Sequence, residues 1–589
     1  MRRIFIALII VVVALAGLGN RGMQQPAQPT FIPQVPTASR TDDSRVFLEK
    51  ADILYKQQFD SFMIVSGNVV FTKGPMTMIC DSAHYYPQTE SFDAFGNVTM
   101  EQGDTLFIYA DELNYRGPEQ VCYLYARPGE KVRLINRDVT LETYEFIYDL
   151  GINLGYYTVG GVLYDKRNRL VSREGEYDPT LKEANFYMDV HLNSENSDDT
   201  LDIYTDTLYY NTTTHISELT SPSIIVNRRG IIRTRNGLYD TALDTAALYD
   251  RSTVTTPSGR SMIADTIFYD RPGGVGECFG AMILTDSARQ ASLSADYGFF
   301  NSNTDSAYAT GRLLIKEYSK GDTLYLHGRQ LNAYRVYDTI PITGMAADTL
   351  NGTSEMPDSF SVDTSNVADI WPHVRFYRSD MQGVCDSLRA TSVDSAVRMY
   401  VEPVVWSGEQ QIFGNLIELF MNDSTIREAR LPDFGFVSQR IYGDYYDQMA
   451  GKEMVAMFDA GELRQLDISG NVEFILFPDE ADSTFNKMVQ AQSSFLKAIF
   501  RDNSTEYVKM WPETSGKATP LFQLRRSMIY LPKFRLFHGM RPLSPADVMT
   551  ADDEGQPISS TIPVEDDGPK TDSNDEAVKP TEIRSTAQD

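Results

Sequence analysis

The sequence has little of what a helical protein or a metalloenzyme needs. Runs with helical period are nearly absent, and one short candidate helix covers residues 495–501. The six histidines are scattered, without an HExxH motif or a Cys-His cluster of zinc spacing. A G-x-S-x-G nucleophile motif is also missing. Carboxylates or basic residues do not recur on one face as an enzyme built on a β-solenoid would require. We therefore expect a protein that is not an enzyme and that has no metal or cofactor.

Cysteine and positive charge are scarce as well. The four cysteines are widely separated, which argues against a disulfide framework: Cys80, Cys122, Cys278 and Cys385. A bond between the first two is the favoured pairing if any forms. The preferred interpretation is that all four are small, buried strand residues. The chain has 53 basic and 81 acidic residues, so nucleic acid is a poor partner.

Aromatic residues and tight-turn residues are abundant instead. The chain has 33 tyrosines and 30 phenylalanines, a composition that suits strands. Three segments begin with Gly-Asn-Val, at Gly67, Gly96 and Gly470. The residues two and four positions past each glycine are apolar: Val69 and Phe71, Val98 and Met100, Val472 and Phe474. The residue between them varies (Val70, Thr99, Glu473). Because strand side chains alternate between faces, each segment predicts a strand with one apolar face.

A second type of strand begins with aspartate and ends in tyrosine. Its apolar residues again stand two and four positions past the first residue: Ala83 and Tyr85, Leu113 and Tyr115, Leu208 and Tyr210, Ile267 and Tyr269. The fourteen residues of the two strand types are predicted to share one interior face.

The strand ends recur with a period of about 30 residues, at Tyr86, Tyr115, Tyr148, Tyr177, Tyr210, Tyr239, Tyr269 and Phe300. A fixed period of this length is typical of stacked repeats. One repeat cannot bury its apolar face alone, but stacked repeats can. The sequence therefore predicts an all-β fold of repeated units with two or three short strands each.

The chain divides by composition. Residues 1–19, basic and then apolar from Ile4 to Leu18, are predicted to be a signal peptide, with an uncleaved anchor as the alternative. A flexible linker is predicted for residues 20–44 and β-repeats for 45–345. A polar insertion or linker follows at 346–371, further repeats at 372–543 and a disordered acidic tail at 544–589.

The repeat units resemble the OstA-like family, the periplasmic lipopolysaccharide-transport proteins that include LptA. The matching signals are residues 46–55, both early Gly-Asn-Val segments, Ala83-x-Tyr85 and the strand 110–115. The stretches 404–431 and 466–474 are similar to it too. The likeness is close over 46–130 and 380–545, and loose between them.

The resemblance implies a twisted, open β-jellyroll, in which two sheets form a V around an apolar interior. It also implies a non-catalytic carrier in the periplasm of a Gram-negative cell, holding lipopolysaccharide acyl chains in a groove for outer-membrane biogenesis. Other transport proteins, or further copies of the chain, would join by edge-strand pairing. This chain is far longer than the small bridge proteins, so its place in the transport line stays open.

The main alternative is a structural or adhesive exported β-repeat protein. Alternation alone does not separate the two, because an ordinary β-sandwich core and an open lipid groove have the same apolar face.

Overall fold

The computed structural model describes residues 45–56, 61–196, 199–318, 321–341, 360–422, 425–479, 484–501 and 504–549. These residues form 46 strands and short 3-10 turns, and no α-helix occurs among them, which confirms the all-β prediction. None of them lies in a helix long and apolar enough to cross a membrane. The chain forms two compact units that divide between Cys278 and Phe279.

The strands of the N-terminal unit are β1 Phe47–Lys50, β2 Ile53–Tyr55, β3 Met63–Lys73, β4 Met76–Tyr86, β5 Ser91–Gln102, β6 Leu106–Arg116, β7 Val121–Tyr125, β8 Val132–Asn136, β9 Val139–Thr143, β10 Glu145–Asp149, β11 Leu154–Tyr157, β12 Gly161–Asp165, β13 Asn168–Ser172, β14 Glu174–Asp178, β15 Glu183–Asn196, β16 Asp199–Asn211, β17 Ile216–Leu219, β18 Ser223–Asn227, β19 Gly230–Thr234, β20 Asn236–Asp240, β21 Thr245–Tyr249, β22 Ser252–Thr255, β23 Arg260–Ala264 and β24 Thr266–Asp270. The unit boundary falls within β25 Val275–Asp286.

Hydrogen-bond register divides this unit into two facing antiparallel sheets. Sheet A contains β2, β7, β10, β11, β14, β17, β20, β21 and β24. Sheet B contains β1, β8, β9, β12, β13, β18, β19, β22 and β23. The long strands β3, β4, β5, β6, β15 and β16 run through both sheets. Each repeat thus supplies a hairpin to each sheet.

The Gly-Asn pairs explain how one strand serves both sheets. Gly67 and Asn68 have positive φ angles of 79° and 45°, and the pairing register of β3 shifts between Ser66 and Val69. Two left-handed residues in a row make a bulge that bends the strand. Asn68 Nδ2 donates to Asp52 Oδ2 at 2.8 Å and holds the bend. The line of such bends is called the seam.

The strands of the C-terminal unit are β26 Ala291–Asn301, β27 Ser306–Thr310, β28 Leu314–Glu317, β29 Leu324–His327, β30 Gln330–Pro341, β31 Phe360–Trp371, β32 Val374–Arg378, β33 Met381–Cys385, β34 Ser387–Thr391, β35 Ala396–Tyr400, β36 Val404–Ser407, β37 Gln410–Gly414, β38 Leu416–Met421, β39 Ile426–Leu431, β40 Gly435–Tyr442, β41 Tyr445–Gly451, β42 Glu453–Asp459, β43 Glu462–Leu476, β44 Lys487–Arg501, β45 Ser504–Trp511 and β46 Ser515–Pro520. Short 3-10 turns follow at Leu521–Gln523, Arg526–Met528, His538–Met540 and Ala546–Val548.

This unit has the same two-sheet plan. Sheet C contains β27, β30, β31, β34, β35, β38, β39, β42 and β45, and sheet D contains β28, β29, β32, β33, β36, β37, β40, β41 and β46. Both share the long strands β26, β43 and β44. Residues 521–549, here called the strap, leave β46 and cover the outer face of sheet D.

Four sequence expectations need correction or restriction. The candidate helix 495–501 is the end of strand β44. Its buried residues, Leu496 and Ala498, are two positions apart, as strand alternation requires. Residues 360–371 of the expected polar insertion form β31, which pairs with β30 over its full length. The second repeat segment stops at Pro520 rather than at residue 543, since the strap has no strands. The acidic tail cannot begin at residue 544, because Val548 is buried.

Other expectations lie outside the described residues. They are the signal peptide or anchor at 1–19, nearly all of the linker at 20–44, the insertion before Phe360 and the tail from residue 550.

Candidate functional site

The interior of the N-terminal unit is lined by two sets of alternating apolar side chains. Val69, Phe71, Val98 and Met100 project from sheet B, and each is at most 1 % exposed. The sheet A set is buried too, apart from the half-buried Tyr85 and Tyr269: Ala83, Tyr85, Leu113, Tyr115, Leu208, Tyr210, Ile267 and Tyr269. These twelve residues therefore line the space between sheets A and B, and their role as a lipid groove stays a prediction. The other two, Val472 and Phe474, are buried in the C-terminal unit, on the face of sheet D opposite to the strap.

The two sheets are in direct contact across this interior. Cys122 Sγ of sheet A lies 3.9 Å from Met100 Sδ of sheet B. The Phe71 and Phe92 rings stack at 4.2 Å, and Phe92 packs against Tyr115 at 5.3 Å. Side chains thus fill the space that the resemblance implied as an open groove, so the opening is closed in this structure.

All four cysteines are buried and free, which confirms the preferred interpretation over the Cys80–Cys122 bond. Burial raises the pKa of the Cys80 thiol to about 12, so it stays protonated and unreactive at neutral pH.

The edge opposite the seam is the mouth of the interior, where the hairpin turns of the two sheets meet. Polar side chains close it. At its first repeat, Lys73 Nζ at the end of β3 donates to the Tyr115 hydroxyl at 2.7 Å. Lys73 is 8 % exposed, and burial lowers the pKa of its ammonium group. A buried amine bound to a hydroxyl is a weak closure, because this hydrogen-bond partner carries no opposite charge.

The next repeats close the mouth in the same way with other residues. Asn136 Nδ2 donates to the Tyr177 hydroxyl at 2.9 Å and to the Pro179 carbonyl at 3.1 Å. Burial raises the pKa of Tyr177 to about 12, so its hydroxyl stays neutral. Tyrosines that end strands of sheet A are thus held by polar residues of sheet B turns.

The third closure is the largest. The buried Asp165 carboxylate accepts from the Tyr210 hydroxyl at 2.6 Å and lies 2.9 Å from His215 Nδ1. Asn168 Nδ2 donates to the same tyrosine hydroxyl at 2.7 Å and to Thr241 Oγ1 at 3.1 Å. This cluster joins one sheet B turn to two sheet A turns.

Residues 43–198 match the model of the family described as OstA-like protein. This segment belongs to the OstA-like family. It contains the first Gly-Asn-Val bends, the aromatic stack and the closures at Lys73 and Asn136. Comparison with curated proteins gives no match.

The match to this family indicates a protein related to the transport of lipopolysaccharide or lipid. The second stretch with a similar sequence, 380–545, lies outside the matched segment, so its resemblance stays a prediction.

The strap, outside the OstA-like segment, forms a second apolar core on the C-terminal unit. Its Phe534 packs on Phe436 and Tyr446, with ring centroids 6.2 Å and 5.2 Å apart, and Phe537 packs on Phe413 at 5.1 Å. Sheet D is therefore buried on both faces, as Val404, Val405 and Trp406 in succession show.

Glutamines of sheet D hold the strap by its backbone. Gln448 Nε2 donates to the Ile529 carbonyl at 2.7 Å, and its Oε1 accepts from Leu531 N–H at 2.8 Å. Gln411 repeats this two-way contact with the Arg535 carbonyl and Phe537 N–H, at 2.8 Å and 2.9 Å. Each glutamine side-chain amide thus makes the two hydrogen bonds that a neighbouring strand would make with an extended segment.

The mouth residues carry no direct sequence signal, because each sits alone in a polar turn. The strap had one: the run Val404-Val405-Trp406 is apolar at consecutive positions, which is typical of a strand buried on both faces.

Proposed function

We propose that the chain is a non-catalytic lipid carrier of the periplasm, one component of the bridge that moves lipopolysaccharide to the outer membrane. Acyl chains would lie between sheets A and B, against the rows of Val69, Phe71, Val98 and Met100. The observation that carries the proposal is this continuous apolar interior within the OstA-like segment. Acyl chains have no polar groups to satisfy, so a carrier needs apolar area rather than particular contacts.

Lipid entry requires the sheets to part at the mouth, because the interior is filled. The free-energy balance permits this. Burying an acyl chain of twelve methylenes is worth about 10 kcal/mol. Each hydrogen bond of the mouth contributes about 1 kcal/mol net. Apolar contacts between the sheets are exchanged for contacts with lipid, so the polar closures are the main cost.

Partners would pair with the edge strands, as would further copies of the chain in a homo-oligomer. At the N-terminal edge, β1 and β2 are short and expose large apolar side chains. Phe47 is 57 % exposed and Ile53 is 62 % exposed. An incoming strand would cover these residues and satisfy the free backbone groups of the edge.

The proposal includes export by the apolar segment 4–18, with residence in the periplasm after cleavage or at the inner membrane if the segment remains as an anchor. It also includes the absence of catalysis.

The second candidate is a structural or adhesive exported repeat protein. The close packing of the interior favours it, since Phe71 and Val98 are 1 % exposed. Such a protein would keep its two sheets together permanently.

Equilibrium binding of lipopolysaccharide to the full chain separates the two. We expect Val98→Asn to weaken binding about tenfold, because a buried amide facing acyl chains loses hydration without a partner. Thr99→Asn, on the outer face of the same strand, is the matched control. Binding equal in both variants, or no binding by the unchanged protein, would favour the structural role.

A further inference from the structure

The turns that border the mouth differ in charge between the two sheets. The sheet B turns whose residues are all described contain three acidic residues, Asp104, Asp138 and Asp165. They contain seven basic residues: Lys73, Arg137, Lys166, Arg167, Arg228, Arg229 and Arg260. The sheet A turns contain three basic residues, Arg116, Lys182 and Arg271. They contain eight acidic residues: Glu90, Glu119, Asp149, Asp178, Glu183, Asp240, Asp244 and Asp270. The mouth therefore has a basic side within a chain of net charge −28.

The acidic side has a structural reason. Asp149 Oδ1 accepts from the backbone N–H groups of Gly151 and Ile152, and Asp178 Oδ1 does the same for Thr180 and Leu181. Asp240 and Asp270 hold their turns similarly. In these turns the aspartate carboxylate accepts hydrogen bonds from backbone N–H groups that would otherwise need a backbone acceptor. These four aspartates therefore stabilise the turn backbone.

Two residues of the basic side, Arg137 and Lys166, have no such contact with their turns among the described residues. Arg137 and Lys166 have positive φ angles of 56° and 47°, where glycine or asparagine is favoured over a long side chain. Both are exposed, and neither has a carboxylate within ion-pair distance among the described residues. Both turns belong to neighbouring hairpins of sheet B, since β9 pairs with β12. Turns so placed lie about 10 Å apart.

We propose that these sheet B turns form a headgroup rim, which binds the phosphate groups of the lipid whose acyl chains enter the mouth. The inference rests on the proposed function and adds the headgroup chemistry to it. Lys73, Arg137 and Lys166 lie at the edge of the OstA-like interior, where a headgroup would remain when its acyl chains are inside. Phosphate oxygens accept several charge-assisted hydrogen bonds at once, which suits exposed arginine and lysine.

The test compares full-length proteins that bind fluorescent, phosphorylated lipopolysaccharide and the same lipid after phosphatase treatment. The rim variant carries Arg137→Asn and Lys166→Asn. We expect it to bind the phosphorylated lipid about fivefold more weakly at low salt, and less so at high salt. Its melting temperature should be unchanged or raised, because asparagine suits the left-handed positions.

The matched control carries Arg133→Asn and Arg169→Asn, which remove the same charge from the outer faces of β8 and β13. It should bind both lipids as the unchanged protein does. Equal binding of phosphorylated lipid by rim variant and control would overturn the rim while the carrier function stands. Binding of neither lipid by the unchanged protein would overturn both proposals. If inorganic phosphate competed as well as the lipid, the site would be one for free anions, and the headgroup assignment would fail.

Discussion

At the scale of the residue, the Gly-Asn pairs and their aspartates explain how a strand leaves one sheet for the other. Gly96 has a φ of 77°, and a Cβ there would lie 2.5 Å from Asp81 Oδ2. The same Asp81 oxygen accepts from Asn97 Nδ2 at 2.8 Å. The motif is thus a bend and its brace, and glycine is needed both for its backbone angle and for the space beside it.

This brace can be tested with two glycines that differ in space. Gly96→Ala should lower the free energy of unfolding of the N-terminal unit by about 2–3 kcal/mol, from left-handed strain and the clash with Asp81. Gly103 has a φ of 59° and open space beside it. Gly103→Ala should therefore lower the free energy of unfolding by only about 1 kcal/mol. Urea unfolding measures both. Equal losses would show that the clash adds nothing.

Asp447 gives the C-terminal unit a pH dependence. Burial raises the pKa of its carboxyl to about 6, while Phe477 N–H donates to it at 2.7 Å. The unfolded value is about 4, so the folded state binds more protons between these values, and stability falls as pH rises through that window.

Asp447→Asn should therefore stabilise this unit by about 2 kcal/mol at pH 7.5 and leave its stability nearly unchanged at low pH. Tryptophan fluorescence during urea unfolding reports on this unit, because all three tryptophans (Trp371, Trp406, Trp511) lie in it. Parallel pH curves for the two proteins would exclude Asp447 as the cause.

At the scale of the element, the strap changes what the repeats of the C-terminal unit can do. Stacked repeats contact mainly their neighbours, so each can open almost independently. The strap adds contacts between residues far apart in sequence, such as Arg541 to Gln382 at 2.6 Å and Arg375 to the Met540 carbonyl at 3.0 Å. It therefore ties sheet D together from outside and opposes its opening.

The strap should depend on its glutamines. Replacing Gln448 by Leu leaves the buried Ile529 carbonyl and Leu531 N–H without partners, at a cost of about 1–3 kcal/mol. Hydrogen exchange at the Leu531 amide should accelerate by about tenfold or more. Gln410→Leu is the control, because that exposed side chain contacts Gln439 and no part of the strap. Unchanged exchange at Leu531 would contradict the role of Gln448.

At the scale of the whole molecule, the sequence predicted what depends on local alternation and period. The all-β class, the strand ends at tyrosine and the interior direction of Val69 or Leu113 follow from positions two residues apart. The mouth contacts do not, because Asp165 and His215 meet only when successive hairpins stack. Many bends lack the Gly-Asn signal too: Met188 and Asp189 are left-handed at one of them. The alternation does not predict the strap, because glutamine side chains hold its extended segment where a paired strand would otherwise lie.

The claim that lipid occupies the interior is tested most directly by photocrosslinking in cells that make lipopolysaccharide. A photoreactive amino acid is placed in the full chain at Val98, which faces the interior, or at Thr99, the next residue of β5 on the outer face. The account predicts lipopolysaccharide adducts at position 98 and none at position 99. Adducts at position 99 alone, or at neither position, would contradict it.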